Sequence, residues 1–359
     1  MENVDKVYVE LQKHLDKQAV GFPATKSGVE IRILKELFSS EQAGVALQLS
    51  YEPRSAKDVF ARVKGGGLTL RKVKSLLDGM VGNGAIGVME KNGTDYYYTM
   101  PLLIGIVEWH GSKATPQWGT NLGEYITGEF GKAYASTKIS QMRTIPVEKS
   151  INVEHHVTTY DHIRDVINST EGPIAINSCM CREGARRRGQ PCQKTTRQET
   201  CMAFGDWARH FIKLGSREIT RAEALEIMRQ NEADGLVLQP TNYQKIDFVC
   251  SCCGCCCGVL RIQKSMPRPA VTWAHNFYAE VNSETCTACG TCVERCQVGA
   301  AKIDEQSGYA TINLDRCIGC GNCVASCPSE ALKLVKKDAE AVPPEDSTTL
   351  YRILAETKQ

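Results

Sequence analysis

Two cysteine runs near the C-terminal end restrict the local fold of this 359-residue chain more than anything else in it. The first is Cys286-x2-Cys289-x2-Cys292-x3-Cys296; the second is Cys317-x2-Cys320-x2-Cys323-x3-Cys327, with Pro328 directly after it. Thiolates at two-residue spacing in a tight loop turn toward one small inorganic core. The fourth, three residues further on, points away and reaches the neighbouring core. On that pattern one 4Fe–4S cluster takes Cys286, Cys289, Cys292 and Cys327, and the other takes Cys317, Cys320, Cys323 and Cys296. Zinc is the competing occupant, but zinc knuckles are paired C-x2-C units set farther apart. The spacing predicts two 4Fe–4S clusters and a chain that moves electrons.

The segment carrying these runs, 278–336, resembles a bacterial two-cluster ferredoxin and covers about a sixth of the chain. The full length of 359 residues is enough for two or three domains, each with its own core. A formal charge of +2 gives no whole-molecule attraction to nucleic acid or anionic lipid. The longest apolar run, 102–107, is too short to span a bilayer, and no N-terminal stretch reads as a signal peptide. Eighteen cysteines in a chain this long do not suit a small secreted disulfide scaffold. The expected setting is a reducing cytoplasm, and the oxygen sensitivity of such clusters suggests an anaerobic host.

Ten cysteines remain. Cys179 and Cys181 follow a strand expected at 173–177, and Cys192 and Cys201 lie in the polar stretch beyond it. After a second expected strand, 245–249, come Cys250, Cys252, Cys253, Cys255, Cys256 and Cys257, six cysteines in eight positions. Neighbours in an extended chain point to opposite sides, so adjacent cysteines do not easily serve one cluster. The run is expected to feed two sites, completed by Cys179, Cys181, Cys192 and Cys201. Ten thiolates suit two cubanes with two to spare, or one cubane and a larger non-cubane cluster. A structural zinc site with leftover thiols is the simpler alternative.

Six basic residues (Arg182, Arg186, Arg187, Arg188, Lys194 and Arg197) face one acid, Glu183, between 182 and 197. They could stabilise an anionic reduced cluster, form a docking patch for an acidic ferredoxin or flavoprotein, or simply be a solvated loop. The surrounding region reads as α+β. Helical spacing covers 159–167 and 207–213. Thr220-x2-Glu223 opens a helix to about 232 that Gly235 stops, and short strands are expected at 236–238 and 246–249. The pair His155-His156 reads as solvated or core histidines, not metal ligands.

The N-terminal third has a different pattern. Helices are expected at 29–38, at 55–63 with Ser55 as N-cap, and at 69–81 with Leu70, Val73, Leu77 and Met80 on one face. Strands at 86–90 and 96–99 flank an Asn92-Gly93 turn. That order is the order of a winged helix, in which Arg71, Lys72 and Lys74 would lie on the recognition helix. The stretch 54–100 carries eight basic and four acidic residues, compatible with DNA without requiring it. Winged helices also bind proteins. The tail carries a helix candidate at 348–356 in a charged stretch whose default is disorder.

These boundaries predict a multidomain α+β chain. It has a winged-helix-like domain (1–105), a connecting helical segment (106–150), a cysteine-rich iron–sulfur domain (151–270), a two-cluster ferredoxin-like domain (271–336) and a tail (337–359). The chain resembles a group of 4Fe–4S proteins of anaerobic bacteria with this order of parts. The resemblance rests on Gly21-Phe22-Pro23 with Ser27-Gly28, Cys179-x-Cys181-Arg182, Gly189-Gln190-Pro191-Cys192, the six-cysteine run and the ferredoxin motifs. It implies an electron-transfer component beside other redox enzymes, with ferredoxin, flavoprotein or oxidoreductase subunits as partners and with homo- or hetero-oligomers allowed.

Several chemistries are excluded. There is no radical-SAM cysteine triplet, Ile126 stands where a P-loop ahead of Gly131-Lys132 needs glycine, and no G-x-G-x-x-G follows a strand. No catalytic residue is assigned. A redox-sensing DNA-binding regulator, and an enzyme with an open iron site at the six-cysteine run, are the alternatives to electron transfer.

Overall fold

The computed structural model describes residues 3–63, 67–152 and 157–358; His155, His156, Gly65 and Gly66 lie outside them. The chain divides into two units, Met1–Lys138 with Thr348–Gln359, and Ile139–Ser347. Among the described residues no helix is long and apolar enough to cross a membrane.

The first unit is mainly helical. Its helices include Asn3–Asp16, Val29–Leu37, Ser40–Ala46, Ala56–Arg62, Leu70–Gly82 and Pro116–Thr127. Ser55 caps Ala56–Arg62 through a capping box with Asp58, and Thr69 accepts the Lys72 N–H to open Leu70–Gly82. Val73, Leu76, Leu77 and Met80 form the buried stripe of the latter. Leu70, expected on that face, is 42% exposed because it stands in the first turn, ahead of the packed region. Strands β1 (Arg54–Ser55), β2 (Gly87–Lys91) and β3 (Thr94–Tyr98) form an antiparallel sheet in the order β1-β3-β2. Its hairpin closes through Asn92 and Gly93, both at positive φ, as a two-residue turn requires.

Gly21-Phe22-Pro23 serves this core. Phe22 stacks on Tyr125 at 5.1 Å, and the Tyr125 hydroxyl donates to the Pro23 carbonyl at 2.8 Å. The tail is ordered, as helix Ser347–Thr357 with Leu350, Tyr351 and Leu354 buried. Beyond its end, the Lys358 ammonium donates to the carbonyls of Asp16 and, at 3.0 Å, Gln18, which ties the tail to the end of the first helix of the same unit.

The second unit holds a five-stranded antiparallel sheet, ordered β6-β4-β5-β8-β7. The strands are β4 (Ile174–Ser178), β5 (Glu199–Phe204), β6 (Arg217–Ile219), β7 (Val237–Pro240) and β8 (Phe248–Cys252). One face packs Met202, Phe204 and Val249 against Ile163, Ile167, Ile227 and Met228. The other receives Trp207 and Phe211 on Phe248, with ring centroids 5.6 and 5.8 Å apart. Two expectations change here. Cys201 lies in β5, not in a polar loop, because alternating Thr200, Met202 and Phe204 give that stretch a buried face. Strand β8 runs on through Cys252, so the cysteine run begins inside the sheet.

The C-terminal part of this unit adds two ribbons. β9 (Phe277–Val281) pairs with β12 (Leu332–Lys336), and β10 (Ala301–Ile303) pairs with β11 (Ala310–Ile312). The short helices Thr291–Arg295 and Asn322–Ala325 each follow a cysteine loop.

Candidate metal centres

None of the eighteen cysteines forms a disulfide. They fall into separate groups, and each is placed by elements already described.

In the C-terminal part, Cys286, Cys289, Cys292 and Cys327 line a single cavity together with Ile303 and Leu332. Cys296 lies close enough to Cys317, Cys320 and Cys323 to raise their pKa values, although burial is the larger cause in each. Cys320 is pushed up to about 12. Such thiols keep their protons until a metal replaces them. Backbone N–H groups already point at the sulfurs: Ala310 to Cys286 at 3.4 Å, Ala300 to Cys296 at 3.1 Å, and Ala279 to Cys317 at 3.5 Å. Donors of this kind stabilise thiolate charge and tune a cluster's potential, so the residues present fit iron–sulfur cores.

Residues 278–341 match the 4Fe-4S dicluster domain family, well under half of the chain. This segment is a 4Fe–4S dicluster domain. The family implies two 4Fe–4S clusters, electron transfer through them and redox partners in general. No curated protein matches the chain.

The dicluster domain depends on close backbone packing. Gly319, at φ 66°, lies so near Phe277 that a Cβ there would meet its carbonyl oxygen at 2.1 Å. Gly319→Ala is therefore expected to displace the adjacent Cys320 loop and lower the melting temperature of the loaded protein by several degrees. Iron analysis should show loss concentrated in one of the two clusters. Unchanged melting and iron would mean that the loop tolerates the shift.

Among the upstream cysteines, Cys192, Cys253, Cys255 and Cys256 bring their four sulfurs within 4.8 Å of one another. Cys192 stands 3.5 Å from Cys253 and 3.7 Å from Cys255, and Cys255 is 3.7 Å from Cys256. Burial raises the Cys192 thiol, but the N–H groups of Lys194 and Thr195, with Cys253 and Cys255, bring it down to about 7. Burial pushes Cys253 up to about 12. Adjacent Cys255 and Cys256 come together here, outside the extended conformation in which neighbours would diverge. Residues 254–256 form a turn, not a strand, so the two-residue alternation does not apply.

The other six upstream cysteines, Cys179, Cys181, Cys201, Cys250, Cys252 and Cys257, gather at the end of the sheet. Val249 pairs with Met202, which sets Cys250 beside Cys201, and Cys252 follows two residues later on the same face. Cys179 and Cys257 are the N-caps of helices Met180–Arg187 and Gly258–Ser265, and Cys181 lies in the first turn of the former.

The basic cluster is mixed: Arg186, Arg187, Arg188 and Lys194 are exposed, as a solvated stretch would be, whereas Arg182 is interior. Arg182 is 1% exposed and donates to Thr200 and, at 2.5 Å, to the Ser251 carbonyl. Arg186 and Arg187 pair with Glu183, Arg197 with Asp234, and Lys194 donates to the Glu294 carbonyl at 3.0 Å. The sequence signal for Arg182 was its place directly after Cys181; nothing marked it as interior.

Gln297 and Asn322 were not visible as site residues at all. Gln297 accepts the Gly254 N–H at 2.9 Å and donates to the Gly235 carbonyl at 2.9 Å. Asn322 donates to the Gly235 and Leu236 carbonyls at 3.1 and 3.2 Å. A side chain at position 254 would meet the Gln297 carbonyl oxygen at 2.5 Å, so glycine lets the cysteine run lie directly on the dicluster domain.

Proposed function

We propose that this chain is an electron-transfer component relaying low-potential electrons between protein partners, with the dicluster domain as its exchange point. We assign Cys286, Cys289, Cys292 and Cys327 to one cluster, and Cys296, Cys317, Cys320 and Cys323 to the other. The observation that carries the reading is Gln297. It follows Cys296 in sequence, and its amide holds Gly254 in the middle of the six-cysteine run. Metal centres on the two sides of that contact would be joined by a short path of covalent and hydrogen bonds. Bound clusters supply reversible one-electron chemistry. The chain's part is to hold them by thiolate, exclude water with residues such as Ile303 and Leu332, and direct backbone N–H groups at the sulfurs.

The partners we infer are ferredoxins, flavoproteins or oxidoreductase subunits. In the first unit, the order Ser40–Ala46, β1, Ala56–Arg62, Leu70–Gly82, β2, β3 supports a winged-helix-like reading. We assign it to protein contact, not DNA. Lys72 pairs with Glu41 at 3.0 Å and Lys74 with Asp78 at 2.9 Å, so two of the three cations on that helix are already engaged.

The test is an anaerobic redox titration of the full chain followed by EPR, with stopped-flow mixing against a reduced low-potential ferredoxin. Reversible reduction of several centres and salt-dependent transfer are expected. Clusters destroyed within one cycle, or sequence-selective DNA binding that changes with oxidation state, would sink the proposal and favour the regulator.

A further inference from the structure

We infer that the ten upstream cysteines form two different metal sites: a single-ion tetrathiolate at Cys192, Cys253, Cys255 and Cys256, and a six-thiolate site for a polynuclear iron–sulfur cluster at Cys179, Cys181, Cys201, Cys250, Cys252 and Cys257. The inference deepens the electron-transfer reading and rests on it for the presence of iron.

Sulfur spacing separates the two sites. Thiolates at about 2.3 Å from one tetrahedral ion lie about 3.8 Å from each other, whereas a 4Fe–4S core holds its four thiolates roughly 6 Å apart. The contacts of 3.5–3.7 Å around Cys192 and Cys255, and the 4.8 Å limit on all four sulfurs, match one ion and leave no room for a cubane. Zinc or a single iron is the chemical class that such a set takes.

The six-thiolate group has another shape. Thiol–thiol contacts run from Cys179 to Cys181, on to Cys257, Cys252, Cys250 and Cys201, and back to Cys179, and the pairing of β5 with β8 sets Cys201 beside Cys250. The sulfurs therefore close a ring. Among the described residues no three of these sulfurs converge as the first group does. Six ligands exceed the four that one tetrahedral ion accepts, and an open ring offers them to metal atoms at several positions. Four members are buried, while Cys179 and Cys181 are half-buried.

Arg182 points to the same conclusion independently. A buried guanidinium needs a counter-charge. It makes no carboxylate ion pair among the described residues, and its Nε has no hydrogen-bond partner. It directly follows Cys181, and the Ser251 carbonyl that it binds lies between Cys250 and Cys252 and close to Cys253 in sequence, so the cation lies where two anionic thiolate sets would meet. The adjacent pairs Cys252-Cys253 and Cys256-Cys257 each place one sulfur in either set.

The experiment uses the full chain, reconstituted anaerobically with iron and sulfide. It measures metal content, acid-labile sulfide and native mass, with EPR of the dicluster domain read separately. Cys201→Ser/Cys250→Ser is expected to lose at least about four irons with matching sulfide. Cys192→Ser/Cys255→Ser is expected to lose one metal ion and no sulfide. Both should keep the dicluster signals. Should the first variant fail to fold, the wild-type mass decides: the dicluster complement plus one ion plus a polynuclear cluster supports the inference. Bare ions only, six thiols mapped as disulfides, or sulfide lost from the Cys192 variant overturn it. Absence of the dicluster iron as well would instead bring down the electron-transfer reading.

Discussion

Serine in place of both Cys320 and Cys323 should remove one cluster from the dicluster domain and leave the other. About four of the eight irons expected there, and the same number of sulfides, are lost. Any magnetic coupling between the two clusters disappears from the EPR spectrum. The reason is the crossed ligation proposed above. Cys320 sits on the loop entering helix Asn322–Ala325 and Cys323 in that helix, and their thiols are raised by burial and by Cys296, a residue of the other run. The decisive comparison is Cys296→Ser. It should reproduce the loss seen at Cys320 and Cys323, although its nearest neighbour in sequence is Cys292. Cys327→Ser should reproduce the loss seen at Cys286, whose cavity it lines. If Cys296→Ser instead removed the cluster of Cys286, Cys289 and Cys292, ligation would run within each run and the assignment would be wrong.

Arg143→Met is expected to destabilise the second unit by about 3–5 kcal/mol. Arg143 is 0% exposed and Asp161 1%; their side chains meet at 2.5 Å. Asn276 donates to the other Asp161 oxygen at 2.7 Å, and the guanidinium lies 5.0 Å from the Tyr160 ring. These contacts join the start of the unit, the turn Thr159–Asp161 and the residue before β9. Removing the cation leaves Asp161 buried with only neutral side-chain donors, Asn276 and the more distant Thr158, which costs far more than the pair contributes while intact. A second change, Asp161→Leu, should recover a large part of the loss, because an apolar pair need not be compensated. Urea unfolding of the loaded protein, followed by circular dichroism, checks both. A loss under about 1 kcal/mol for the single variant would mean that water reaches Asp161.

Local chemistry was legible without coordinates. Three cysteines at two-residue spacing need only a tight loop to share a core, so the dicluster domain is written in about forty consecutive residues. Ser55, Thr69, Thr220 and the Asn92-Gly93 turn act within three or four residues, and each appears at or beside its expected position. The resemblance to ferredoxins was legible for the same reason.

What sequence alone determined is therefore the short-range part: which loops can wrap an iron–sulfur core, and where helices and the hairpin begin. The tertiary structure decided the division of the upstream cysteines, because Cys192 meets Cys253 across 61 positions and Cys201 meets Cys250 only once β5 pairs with β8. It also decided the place of Arg182, which reads as one arginine among several in the chain and becomes a buried cation once Thr200 and Ser251 close over it. Strand pairing and burial depend on residues distant in sequence, and a pattern of neighbours carries no record of them.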